Sequence, residues 1–226
     1  MLFRSVGVER HGYRGFAPLP ANPSRTLASR RHFEAIRMRR RDFVNDADGL
    51  FHLNALLDAA IADLGADWTC DLFFAAERDY WQRRNHVARF QKARQDTLGL
   101  GWANHDHHTY RSSRGHFSAL IRIWEKLGFK PRERFYAGAE AGWGAQVMEQ
   151  HATGITTFND VDMSPEELMG DFAHDGLPER PSEPLGTVGV WCGLHGEAIL
   201  QAGMHHLECV FDWHALRDQM ALEGSI

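Results

Sequence analysis

Asn104 to Met163 constrains the fold more than any other stretch, because it reads as strand, helix, strand, strand, strand. Asn104 to Ser113 is the first strand. Phe117, Leu120, Ile121, Trp124 and Leu127 then keep helical spacing, and Gly128 ends the run. Phe129 to Ala137, Ala145 to Gln150 and Ile155 to Val161 follow as strands, with Gly138 to Gly144 as a turn region. The pattern predicts an α+β fold.

The first strand is chemically unusual, with three histidines, an aspartate and an arginine within ten residues. Strand alternation puts His105, His107, Thr109 and Arg111 on one face. Asp106, His108, Tyr110 and Ser112 fall on the other. Imidazole and guanidinium on one face read as a site more readily than as a packing surface. Fourteen histidines in 226 residues also raise the expectation of a metal site, since imidazole is the commonest metal-binding side chain.

Residues 1–44 read as an Arg-rich, poorly ordered arm, with ten arginines against two acids before Asp42. A targeting peptide and a start site placed too far upstream are the other readings. Residues 45–99 read as helical. Asn45 to Asp48 offers capping residues, Leu53, Leu56, Leu57, Ala60, Ile61 and Leu64 keep helical spacing, and Gly65 stops the pattern. A second helix is expected from about Thr69 to Leu98. Residues 100–165 form the strand-rich unit and 166–202 an insertion. In it Ser164-Pro165-Glu166-Glu167 looks like a helix start, and Leu185 to Gln201 is ambiguous between helix and strand.

Net charge is -5, which argues against a nucleic-acid partner. Three widely spaced cysteines without a Cys-x-x-Cys fit a reducing compartment, so a cytoplasmic location is expected. No apolar run reaches about 18 residues, so no membrane partner is expected.

Residues 203–226 read as the start of a second copy of the unit. Asp106-His107, helix and Gly128 lie over His205-His206, helix and Gly224, with 21 residues from His107 to Gly128 and 18 from His206 to Gly224. Three more strands would be due after Ile226. A fragment is the favoured reading; a second subunit completing the sheet, in a homo-oligomer, or an accidental repeat are the others. An incomplete second module predicts that the chain is inactive in isolation.

The two-copy βαβββ pattern, with Asp106-His107-His108-Thr109-Tyr110-Arg111 opening the first copy and His206 to Asp212 the second, resembles the vicinal oxygen chelate superfamily. That superfamily includes glyoxalase I, extradiol dioxygenases and bleomycin-resistance proteins. The layout is most similar to the 2-oxoadipate dioxygenase/decarboxylase family, on His107 with Arg111 four residues later and on His206-Leu207 with Asp212. The chain departs from that family around Phe135 to Gly144, so the resemblance does not name 2-oxoadipate as substrate. It implies His107 and His206 as ligands of a divalent metal, Fe(II) first, with Mn(II), Ni(II) and Zn(II) as alternatives. The family's third ligand, a glutamate, would lie beyond Ile226. Glu149 stands where glyoxalase-type members place a metal-binding glutamate, and Glu208 shares a face with His206.

Two histidines and a carboxylate leave coordination positions for O2 and a chelating substrate. Arg111 shares a face with His107, and its planar fork suits a carboxylate. The leading expectation is therefore a non-haem Fe(II) dioxygenase acting on a small 2-oxo acid. The alternatives are a glyoxalase-type isomerase or lyase and a binding protein of the same fold without turnover. His105, His108, His116, His151 and His195 read as surface or packing residues.

Overall fold

The computed structural model describes residues 16–18, 22–84, 86, 89–90, 93, 108–180 and 183–203. Its class is α+β, with a four-stranded mixed sheet and six helices among the described residues. Helices α1 (Pro23–Arg37), α2 (Asp46–Leu64) and α3 (Ala66–Arg84) pack together. Strand β1 (His108–Arg111), helix α4 (Phe117–Lys126) and strands β2 (Lys130–Tyr136), β3 (Trp143–Gln150) and β4 (Ile155–Asp162) follow in chain order. Two short helices close the described chain, α5 (Phe172–Asp175) and α6 (Thr187–His195). Among the described residues no helix is long and apolar enough to cross a membrane.

The sheet order is β1-β4-β3-β2, with β1 parallel to β4 and the other pairs antiparallel. Alternation sorts its two faces. Tyr110, Asn159 and Met148 turn toward the helices, where Trp124 of α4 is fully buried. Its ring lies 4.8 Å from Tyr110, 5.5 Å from Phe129 and 5.7 Å from Phe74 of α3. Its indole N–H donates to Asn159 at 2.7 Å, so the one polar atom of the largest core side chain is paired. Edge strand β2 carries Lys130, Arg132, Arg134 and Pro131 on an exposed backbone, which blocks pairing with a further strand.

Helix α2 has the expected start and stop. Asn45 Oδ1 accepts the Asp48 N–H at 2.9 Å, its amide donates back to the Asp48 carboxylate, and Gly65 ends the helix at φ 82°. Asn45→Ala removes both bonds and is expected to cost about 1 kcal/mol, seen as a fall of about 2–4 °C in Tm by thermal unfolding.

Three elements differ from expectation. The stretch expected to be a poorly ordered arm contributes α1, and its basic run is partly core. Arg39 and Arg41 are 5% exposed and both bind Glu77 of α3, at 2.5 and 2.7 Å. Neutralisation by an acid almost forty positions away lets arginines enter the interior, and chain order carries no sign of it. The helix expected at Ser164 is only a 3-10 turn, Glu167–Met169, which ends at Gly170 in extended backbone. The ambiguous stretch 185–201 resolves into α6 and a tight loop. The strand and helix expected at 204–226 lie outside the described residues.

Candidate functional site

The sheet face turned away from α4 carries Arg111 on β1 and Asp160 on β4, which are register partners. Helix α6 packs across this end of the sheet. Asp162 fixes it there, its carboxylate accepting the Val188 and Gly189 N–H groups at 2.9 and 2.7 Å. A carboxylate at a helix N-terminus is stabilised by exposed N–H donors and the helix dipole. Gly186 permits the approach, since a Cβ there would lie 2.6 Å from the Asp162 side chain.

Under this cover Trp191 stacks on the Arg111 guanidinium, 4.4 Å from ring centroid to carbon. Arg111 Nε donates to Asp160 Oδ2 at 3.4 Å. Among the described residues neither terminal nitrogen of Arg111 has a hydrogen-bond partner, and its side chain remains 23% exposed. The fork is therefore preset by stacking and partly open. Asp160 is 2% exposed, and its Oδ1 has no partner among the described residues. Burial raises its pKa to about 7, and the single long contact from Arg111 only partly offsets that. Below neutral pH, Asp160 carries little charge with which to hold the guanidinium.

Beyond Arg111 the strand leads into a cavity of about 470 Å³. Ser112 and Ser113 meet Glu197 there. Glu197 is 3% exposed and accepts from the Ser112 hydroxyl at 2.5 Å, the Ser113 hydroxyl at 2.6 Å and the Ser113 N–H at 3.0 Å. His116, at the start of α4, lies 3.5 Å from the same carboxylate, which raises the imidazole pKa. Asp46, at the start of α2, completes the group. One ligand atom from each of Asp46, His116 and Glu197 lies within 4.8 Å of the other two.

The loop presenting Glu197 is strained and braced. Ile199 is fully buried at φ 59°, a conformation that β-branched residues avoid. Arg39 donates to its carbonyl at 2.7 Å, which ties the loop to the buried Arg39–Glu77–Arg41 cluster. Gly196, at φ 91°, has the Gln201 side chain against the place where a Cβ would sit. Gln201 in turn accepts the Glu197 N–H at 3.0 Å and donates to Asp46 at 2.9 Å.

The group is not a serine nucleophile triad. Ser113 Oγ and Glu197 both approach Nδ1 of His116, whereas a triad uses opposite ring nitrogens. Cys192 lines the cavity, but burial pushes its thiol well above the ordinary range, so it is not a ready nucleophile.

Of the residues read from the sequence, His107, His206 and Glu208 lie outside the described residues. Arg111 sits in the environment above. Glu149 ends β3 opposite Thr156, four positions along the strand from Ala145, the register partner of Asp160. That is about 13 Å from the Arg111 level. Its one ion-pair partner among the described residues is the exposed imidazole of His151, at 3.9 Å, so its position does not join it to Arg111. His108 packs on Phe74 and His195 on Trp191, at 5.1 and 4.2 Å. His116, read as surface or packing, instead belongs to the cavity. Glu197 was missed altogether. Its one signal was isolation, as the only acid between Glu183 and Glu208 in an apolar stretch.

A scan against protein-family models and searches of curated proteins and solved structures returned no match. Fold and site together define an α+β protein with a preset arginine on one sheet face and a carboxylate-imidazole cavity beside it.

Proposed function

We propose that the chain belongs to a metal-dependent enzyme of the vicinal oxygen chelate type, acting on a small 2-oxo acid as a non-haem Fe(II) dioxygenase. The observation that carries this reading is the state of Arg111. Its guanidinium is stacked on Trp191, partly exposed, and faced by a carboxylic acid that burial keeps neutral below about pH 7. Such a group receives a substrate carboxylate through two charge-assisted hydrogen bonds and needs little reorganisation to do so. The β1-α4-β2-β3-β4 order, with β1 beside β4, supports the module reading.

In this reading His107 and His206 hold the metal, and Fe(II) supplies O2 activation when bound. Arg111 anchors the acid. Trp191 and α6 cover the anchor and restrict water around it. Asp160 tunes it: below about pH 7 a protonated Asp160 leaves the guanidinium without a counter-charge, and above that the ionised carboxylate competes with substrate for it.

Arg111→Gln is expected to weaken binding of a short 2-oxo acid by about 10- to 100-fold, the loss of a charge-assisted pair, measured by titration calorimetry. The functional test is reconstitution of a chain that carries a complete second module with Fe(II), Mn(II), Ni(II) and Zn(II), followed by oxygen uptake. Uptake that needs both Fe(II) and a 2-oxo acid supports the dioxygenase. Turnover without oxygen uptake supports the glyoxalase-type isomerase or lyase instead. Retention of none of the four metals overturns both.

A further inference from the structure

We propose that Asp46, His116 and Glu197 form a divalent-cation site, separate from the one assigned to His107 and His206, that ties the N-terminal helices to the sheet. Its occupant is a first-row ion of the Zn(II) or Mn(II) kind. One imidazole nitrogen and two carboxylates suit such ions, and the two negative charges balance a dication.

Three observations converge. The three residues come from distant parts of the chain, the start of α2, the start of α4 and the loop after α6, yet their ligand atoms lie within 4.8 Å of one another. Two of the three are oriented by further groups in the way metal ligands usually are. Ser112 and Ser113 hold the Glu197 carboxylate, and Gln201 holds Asp46 through one oxygen while accepting the Glu197 N–H. The cavity is also acidic, with five carboxylates lining it against two guanidiniums and one imidazole. Both guanidiniums, Arg114 and Arg180, are bound to Glu167, and Arg180 also pairs with Glu183 of the lining. A low-dielectric cleft with that balance concentrates cations.

Tetrahedral bonds of about 2.1 Å place ligand atoms about 3.4 Å apart, so a gap as wide as 4.8 Å must close by about 1.4 Å. Asp46 is half-buried at a helix start, where its side chain can rotate that far. The Ser113 hydroxyl now bridges Glu197 and His116, and a cation arriving there takes over that bridging role. Three protein ligands at a cavity wall leave coordination positions open toward the cavity.

The test is equilibrium dialysis against Zn(II), Mn(II) and Mg(II) with metal counting, on the 226-residue chain and on variants. A His107→Ala chain is expected to keep one equivalent of Zn(II) or Mn(II), and adding His116→Gln is expected to remove it. Asp46→Asn, half-buried at a helix end and the variant least prone to misfold, is expected to weaken retention at least tenfold. Zn(II) at a hundredfold excess over its Kd is expected to raise Tm by about 5–10 °C in the His107→Ala chain. Loss of all metal in His107→Ala alone overturns the site. So does unchanged stoichiometry after both His116→Gln and Asp46→Asn. Failure here leaves the Arg111 reading untouched, because that is read by binding of a 2-oxo acid.

Discussion

Glu77→Gln is expected to destabilise the fold by about 3–5 kcal/mol, a large share of the roughly 5–15 kcal/mol that holds a typical domain together. Glu77 is 3% exposed and faces two arginines whose side chains are 0% and 4% exposed. Burial alone would raise its pKa, but the two guanidiniums override this and hold it at about 2. An amide in its place leaves two buried positive charges with no counter-charge, which costs far more than the ion cluster contributes on balance. The damage extends to the Glu197 loop, since Arg39 and Arg41 also hold the carbonyls of Ile199 and Leu200. The cluster also makes the fold acid-labile. With a folded pKa below the ordinary value, the contribution of Glu77 is complete above about pH 4.5 and is lost as pH falls toward about 2. Urea unfolding at pH 7 measures the effect, and a change below about 1 kcal/mol would mean that the cluster is not what braces the loop.

Asp160→Asn is expected to raise stability at pH 8 and to change it little near pH 4. The folded protein holds the Asp160 proton up to about pH 7, whereas the unfolded chain releases it near the ordinary value of 3.8. Between those values the folded state binds more protons, so stability falls as pH rises through the window and levels off above it. The gap corresponds to a ceiling of about 4 kcal/mol. Asparagine has nearly the shape of the neutral acid and never ionises, so the variant escapes the penalty. Other groups titrate as well, and the difference between variant and wild type isolates this one. Equal destabilisation at pH 5 and pH 8 would contradict the assignment. The same substitution should flatten the pH dependence of 2-oxo acid binding, because no ionised Asp160 then competes with the substrate for Arg111.

What the sequence made legible was local. The helix from Asp46 to Leu64 is bracketed by Asn45 and Gly65, both of which act over a few residues. The strand-helix-strand-strand-strand order was likewise written in local periodicity and glycine punctuation. Parity within β1 also held among its described residues, with Tyr110 against Trp124 and Arg111 on the opposite face beside Trp191. What was not legible depends on partners far apart in the chain. Arg39 and Arg41 look like a solvated basic run until Glu77 is placed beside them. Asp46, His116 and Glu197 share no spacing, and only a folded loop bent at Gly196 and Ile199 brings the last of them to the others. Asp160 reads as an ordinary strand polar residue. Its consequence comes from being covered by α6, an element whose class the sequence left open.

The most direct measurement is calorimetric titration of a short 2-oxo acid into the Fe(II)-reconstituted chain at pH 6.5 without oxygen, alongside Arg111→Gln and His107→Ala. The expected result is saturable single-site binding, weakened about 10- to 100-fold in Arg111→Gln and lost in His107→Ala or without metal. Absence of binding in the wild type, or binding that both variants leave unchanged, would contradict the proposed function.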